Sequence, residues 1–328
     1  MIRVVHLLDD FAMGGVTRAL SMFSHPRIAL HATSRTVAMG RTAREATHLD
    51  ADLIVIHVPP RWSRLPYLAA LRLRNRHARI VQVEHSYTRA LERDLVTSRG
   101  RFRLLIRLAA RLVDEVVAVS TAQREWLAEV GVPRAKLTTI YPWSGRFDLF
   151  DIAEAPPRDG PLRLLGYGRF SPEKNYAALI EGVSSLSRHE ATLTLFGDGP
   201  LAADLRARAS LTDNVEVLPA CSDPAPFLEK CHAVILPSRF ESFGLVATEA
   251  RMAGRAIAVA DIDGLPEQAR CGGGMVRPMN DADEIAAAIA EFAYVDVVQM
   301  GREARNGVRA QHDRIIESWR ALFHRAAR

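Results

Sequence analysis

Cysteine is scarce: Cys221, Cys231 and Cys271 are odd in number, widely spaced and form no CxxC pair. They exclude a disulfide framework and a thiolate zinc site, and they suit a reducing cytoplasm. Lysine is as rare, with Lys136, Lys174 and Lys230 standing among 43 Lys/Arg. A lysine kept where arginine is otherwise universal draws attention to its place. No apolar stretch reaches the roughly 18 residues that a membrane-crossing helix needs. The opening run Met1–Leu8 meets Asp9-Asp10 at once, which reads as a buried strand and not a signal peptide. No G-x-G-x-x-G stands anywhere, so the dinucleotide fingerprint is missing. Short repeats and low-complexity tracts are lacking too, and 48% hydrophobic with 25% charged residues excludes disorder.

What is present is a chain of 328 residues, enough for two domains of ordinary size. Charge divides them. Residues 1–145 hold 22 Lys/Arg against 12 Asp/Glu, a net of +10, whereas 146–328 hold 21 against 26, a net of −5. A basic first half points to an anionic partner such as a bilayer surface, a lipid phosphate or nucleic acid.

Short β-branched runs alternate with helical patterns throughout. Strands are expected at Arg3–Leu8, Thr36–Met39, Leu53–Val58, Ile80–Val83, Glu115–Val119 and Leu137–Ile140, with helices at Arg64–Asn75, Arg101–Leu112 and Ala122–Val130. The Pro-rich run Ile152–Pro161 reads as a linker. The alternation then resumes, with strands at Leu162–Tyr167, Thr192–Phe196, Val215–Leu218, Ala233–Leu236, Ala256–Ala260 and Gly274–Val276. Two such arrays imply an α/β fold with two parallel sheets covered on both faces. The expected domains are 1–150, 151–310 and a closing helix over 311–328 that crosses back to the first domain.

In such sheets ligands bind where strands end and helices begin. After the first strand stand Gly14-Gly15, and after the fourth stands His85, placed to bond a sugar hydroxyl or shuttle a proton. The first strand past the linker ends in Gly168-Arg169, with Lys174 five positions after Arg169. A planar guanidinium and a mobile ammonium there suit a diphosphate clamp. Phe196-Gly197-Asp198-Gly199-Pro200 ends another strand, and its glycines shape the wall of the site. Glu241-Ser242-Phe243-Gly244-Leu245 leads into a helix beginning near Gly244, with Glu249 one to two turns along it. The helix start offers amides to an anion, flanked by two carboxylates for hydroxyls. Glutamates near a helix start also favour the dipole on their own account. Asp261-Ile262-Asp263 has the D-x-D form of a metal motif, but its context reads as a loop and helix cap, so no metal ligand is assigned.

Taken in order, Gly14-Gly15, His85, Asp114–Ser120, Gly168-Arg169-Phe170 with Glu173-Lys174-Asn175, Gly197–Pro200 and Glu241-x7-Glu249 resemble the retaining GT-B glycosyltransferases of family 4. The resemblance implies two Rossmann-like domains whose parallel sheets face a deep inter-domain cleft. It implies a nucleotide-sugar donor held by Gly14, Gly15, Gly168, Arg169, Lys174, Gly197, Leu218, Pro219, Glu241, Ser242, Phe243, Gly244, Leu245 and Glu249. Of these, Arg169 and Lys174 would hold the diphosphate, Glu241 the sugar and Glu249 the ribose. His85, Arg169, Lys174 and Glu241 would carry the catalysis, with no cofactor and no obligatory metal. Tyr141–Gly145 replaces the Asn-Gly-Val-Asp-like turn common in the family, which removes that turn as an expected donor contact.

The expected activity is transfer of a hexose-type sugar from a UDP- or GDP-sugar to a hydroxyl acceptor. The acceptor is a glycan or a lipid-linked oligosaccharide, lipopolysaccharide or exopolysaccharide precursor. A same-fold sugar-nucleotide epimerase and a binding module for nucleic acid or an anionic surface are the alternatives. No recognition-helix or aromatic-basic pattern supports nucleic acid. Arg99–Arg111 reads as a domain helix whose apolar side is core, while its arginines leave docking on anionic lipid open. The expected location is the cytoplasm, with the inner face of the cytoplasmic membrane as a peripheral surface.

Overall fold

The computed structural model describes residues 1–9, 15–292 and 294–327. The chain divides into two compact units, Met1–Gly145 with His312–Arg328, and Arg146–Gln311.

The first unit carries β1 (Ile2–Leu8), β2 (Ala32–Ala38), β3 (Leu53–Ile56), β4 (Arg79–Glu84), β5 (Glu115–Ala118) and β6 (Leu137–Thr139). They form one parallel sheet in the order β2-β1-β3-β4-β5-β6. β3 and β5 are buried along their whole length, as strands covered on both faces require. β2 differs from the expected Thr36–Met39. It begins at Ala32 because it is a polar edge strand, mostly solvated, with no apolar run to mark its start. Short helices α1 (Gly15–Ala19) and α2 (Pro26–Ala29) lead into it. The longer ones are α3 (Leu65–Arg74), α4 (Arg89–Leu95), α5 (Arg99–Arg111) and α6 (Thr121–Val130). α5 buries Leu105, Ile106, Ala109 and Ala110, so its apolar stripe belongs to the core of this unit. The last residues of the chain complete it: Trp319 and Phe323 pack on Phe23, and Arg325 pairs with buried Glu115 at 2.7 Å.

The second unit carries β7 (Leu162–Arg169), β8 (Ala191–Asp198), β9 (Val215–Leu218), β10 (Ala233–Leu236), β11 (Ala256–Ala260) and β12 (Gly274–Arg277). Their order is β12-β11-β10-β7-β8-β9, again all parallel. Helices α7 (Tyr176–Ser184), α8 (Ala202–Ala209), α9 (Ala225–Lys230), α10 (Leu245–Met252), α11 (Leu265–Arg270) and α12 (Ala282–Phe292) connect and follow the strands. The closing helix α13 (Val297–Ala326) begins in this unit, and from His312 onward it belongs to the first. Among the described residues no helix is long and apolar enough to cross a membrane.

The strand orders fix where ligands sit. In the second sheet the chain runs outward from β7 through β8 to β9, then returns to the other side of β7 for β10. The crevice at that reversal opens beyond the carboxyl ends of β7 and β10. In the first sheet the reversal falls between β1 and β3.

Candidate functional site

The loops after β7 and β10 meet at this reversal. β7 ends in Gly168-Arg169, and a single 3₁₀ turn, Pro172–Lys174, follows. Asn175 closes the turn in the left-handed region at φ 56°. Its amide donates to Met279 O at 2.9 Å and its carbonyl accepts from Arg239 Nε at 3.1 Å. Arg239 N also donates to Glu173 O at 2.8 Å, so the loops after β7 and β10 are bonded to each other. Lys174 is thereby aimed at the second loop, where its Nζ forms an ion pair with Glu241 Oε2. Burial works against the ammonium, but Glu241 outweighs it and the Lys174 pKa is raised. Beneath the pair, the Tyr176 hydroxyl donates to Tyr167 O at 2.8 Å, and burial pushes its phenol up to about 12.

Glu241 is held from behind. Its N–H donates to Asp263 Oδ2 at 3.3 Å and its carbonyl accepts from Gly264 N at 3.1 Å. Asp263 therefore braces the Glu241 loop. Gly264 itself stands at the start of α11. Phe243 is a core residue at 2% exposure, in keeping with its place in a loop too apolar for a surface turn. Gly244 then takes φ +85°, where a Cβ would lie 2.8 Å from Leu265 Cδ2, so a glycine is needed to turn into α10. The first amides of α10, at Leu245 and Val246, have no intrahelical acceptor, and Gly244 supplies no side-chain cap.

Glu249 sits on α10, fully buried, and accepts from the Tyr167 hydroxyl at 2.9 Å. Tyr167 stacks on Phe196 at 4.8 Å and 5°, and Phe196 on Phe227 at 4.5 Å. A buried carboxylate costs free energy unless it is bonded. This one is fixed by a phenol whose ring is stacked on Phe196. Gly197 and Gly199 form the wall. A Cβ on Gly197 would lie 2.0 Å from Gly168 O, and one on Gly199 2.6 Å from Phe170 O.

The structure thus joins Lys174 to Glu241 and places Ser242 through Leu245 and Glu249 directly after them. Arg169 is exposed at the end of β7, and among the described residues its guanidinium has no bonded partner. Leu218 ends the edge strand β9 and Pro219 is exposed beyond it. Tyr167 and Tyr176 were not anticipated, and Asn175 and Asp263 were noted without these roles. The two tyrosines read in sequence as core aromatics, and only the fold shows that their hydroxyls face carboxylate and backbone within the site.

His85 and Gly15 belong to the first unit; Gly14 lies outside the described residues. Gly15 opens the short helix α1. His85 follows β4, half-buried, and its Nε2 lies 3.0 Å from His57 Nδ1. His57 follows β3, and its Nε2 lies 3.0 Å from Nδ1 of His6 on β1. Burial lowers all three imidazoles, His6 to about 3 and His85 to about 4. His57 occupies the same kind of strand end that singled out His85, whereas His6 lies within a strand and gave no signal. In place of the expected family turn, Trp143 is buried against His312.

Two family profiles cover most of this chain. Residues 11–143 match Glycosyltransferase Family 4, and residues 149–300 match Glycosyl transferases group 1. The chain carries both domains of a GT-B fold. The GT-B chain is 27% identical over 270 residues to a phosphatidyl-myo-inositol mannosyltransferase of Mycolicibacterium smegmatis, covering 78% of this chain and 66% of that one. It is 26% identical over 192 residues to an uncharacterized 41.2 kDa protein in the cps region of Klebsiella pneumoniae. There it spans 55% of this chain and 52% of the relative, about half the relative's length. Among solved structures, Anabaena HepE in complex with UDP and glucose matches with a TM-score of 0.76 at 18% identity. That match covers 97% of this chain and 99% of HepE. Such a likeness shows the GT-B fold: two α/β domains, each with a six-stranded parallel sheet.

Proposed function

We propose that this GT-B chain moves a hexose-type sugar from a UDP- or GDP-sugar to a hydroxyl acceptor, with retention of configuration. The observation that carries the reading is the reversal point of the second sheet. There an ammonium, a braced carboxylate, open helix amides and a second, buried carboxylate follow one another. A sugar nucleotide presents diphosphate, sugar and ribose to match them. The HepE complex holds UDP and glucose on the same fold, and a relative is a mannosyltransferase, which supports the donor class.

In this reading the donor diphosphate takes up the Lys174 ammonium, now paired with Glu241, together with the exposed guanidinium of Arg169. The α10 amides meet the phosphate oxygens. Glu241, released from Lys174, accepts from sugar hydroxyls, and Glu249 accepts from the ribose. The bond from the anomeric carbon to the phosphate oxygen breaks as the bond to the acceptor oxygen forms on the same face. The acceptor proton passes to the leaving phosphate oxygen. The protein contributes position and charge stabilisation, and no covalent intermediate is required. Lys174, Arg169 and the helix start supply the positive charge, so an obligatory divalent cation has no step to perform.

The acceptor is a glycan or lipid-linked saccharide whose anionic groups suit the +10 half of the chain. Because α5 buries its apolar stripe, any contact with an anionic membrane surface is electrostatic, through its arginines, and not by insertion. Vesicles of anionic lipid should therefore bind the protein at low salt and release it at high salt; flotation that is insensitive to lipid charge rules the contact out.

The direct test is transfer from UDP- and GDP-hexoses to a panel of glycan and lipid-linked acceptors, with the product anomer read by NMR. Retention, undiminished by chelator, is expected. An inverted product, or a new sugar nucleotide formed without acceptor, contradicts the reading.

A further inference from the structure

A single buried side chain clasps the loop that leads into α10. Gln268 lies on α11, fully buried, and its Nε2 faces that loop. It donates to Thr248 Oγ1 at 3.0 Å, and to the carbonyl oxygens of Phe243 at 3.3 Å and Gly244 at 3.4 Å. An amide nitrogen carries two hydrogens, so one goes to Thr248 and the two carbonyls share the other. Gly244 O also accepts from Ala247 N at 3.0 Å and Thr248 N at 3.4 Å, the first bonds of the helix. Gln268 therefore grips the turn at the oxygen on which the first helical turn closes.

Arg251 fixes the other end of that amide. Its Nη1 donates to Gln268 Oε1 at 2.9 Å and to Gln311 Oε1 at 3.0 Å. A guanidinium can only donate, so the oxygen of Gln268 faces it and the NH2 group faces the loop. Arg251 is itself fully buried, and among the described residues no carboxylate pairs with it. Its Nε and Nη2 have no hydrogen-bond partner there. Burial lowers the pKa of this guanidinium, and only the Cys271 side chain works the other way. A buried cation without a counter-charge costs stability. Core filling does not account for it, since an apolar chain of the same length avoids that cost. Orienting Gln268 does.

We propose that Gln268, oriented by Arg251, is a positioning residue that sets the Phe243–Gly244 turn and with it the open amides of Leu245 and Val246. Those amides point where the first turn of α10 points, and the clasp fixes that direction before any ligand arrives. N–H groups aimed in advance need no rearrangement when an anion meets them. That the anion is the diphosphate of a nucleotide sugar rests on the glycosyl-transfer reading. The clasp itself does not rest on it.

Proton–nitrogen NMR of the ligand-free protein tests the clasp without any activity. In the wild type the Gln268 side-chain protons should be protected from exchange and show cross-peaks to Gly244 and Thr248. A freely exchanging Gln268 amide, or one turned towards Arg251, overturns the proposal, and this spectrum decides even if no variant folds. Gln268→Leu and Gln268→Glu both remove the NH2 group, but only the glutamate gives Arg251 a counter-charge. The glutamate variant should therefore melt above the leucine variant; one that melts no higher overturns the part given to Arg251. In both, the Ala247 and Thr248 amides should exchange about threefold to tenfold faster, the scale of one lost hydrogen bond. Affinity for UDP- or GDP-sugars should fall by a similar factor in both. Exchange and affinity that simply follow the melting temperatures make Gln268 a core residue and overturn the proposal. If the clasp is found but the wild type binds no nucleotide sugar, the functional reading fails and the clasp stands.

Discussion

At the scale of single residues, the site rests on a few bonds with separable consequences. Tyr167 holds buried Glu249 through one hydroxyl. Tyr167→Phe keeps the stack on Phe196 and removes that bond, worth about 0.5–1.5 kcal/mol, or more where the acceptor is charged. Donor affinity should fall about threefold to tenfold by calorimetry while the fold persists; unchanged affinity removes Glu249 from the donor site. Lys174→Ala and Glu241→Ala should each lower transfer about 10²–10³-fold, the scale seen when a preorganised charge stabiliser is deleted. Both should keep native circular dichroism. Full activity in either variant overturns the assignment. These residues were legible because their chemistry is unusual for their place: one of three lysines stands in the turn that follows β7, and two glutamates bracket a helix start. The tyrosines and Asp263 were not legible, since a core aromatic and a loop aspartate carry no mark of which atom they hold.

At the scale of elements, strands were the most readable part. β10 and β11 fall at the expected residues because a strand buried on both faces is a continuous apolar run with punctuated ends. The start of the edge strand β2 was not readable, since solvated Thr33–Arg35 resemble a loop until β1 pairs with them. The turn after β8 was read as a wall, and the geometry gives that wall its cause. Gly197 admits no side chain because the end of β7 lies against it. Gly197→Ala should cost about 1–3 kcal/mol through overpacking, seen as a lower melting temperature. Gly160→Ala, where a Cβ meets nothing within 4 Å, serves as the control and should leave it unchanged. Equal effects in the two variants refute the packing argument.

At the scale of the molecule, pH acts on the first unit in two opposed ways. Burial raises the Glu84 carboxyl to about 7, against its acceptance of N–H bonds from Ser86 and Tyr87. A raised acid binds its proton more tightly when folded. Its contribution is full below the unfolded value near 4.5 and is lost as pH rises through about 7. Glu84→Gln, which imitates the protonated acid, should leave melting unchanged near pH 4.5 and raise it by pH 8. The ceiling is about 3 kcal/mol, at 1.36 kcal/mol per unit. A gain at low pH instead gives the wrong sign. The three lowered histidines act oppositely: stability present above about 6.5 is lost as pH falls toward 4 and 3.

The two-domain division and both parallel sheets follow from alternating apolar and helical patterns, whereas the chemistry depends on two loops meeting where one sheet reverses. The claim that this meeting point is a nucleotide-sugar site is tested most directly by thermal melting with UDP-, GDP- and ADP-hexoses. Wild type and Glu249→Ala are each compared with their own ligand-free form. One nucleotide series should stabilise the wild type, by about 2.7 kcal/mol at a hundred times its Kd, and the gain should largely vanish in Glu249→Ala. No stabilisation by any nucleotide sugar, or an undiminished gain in the variant, contradicts it.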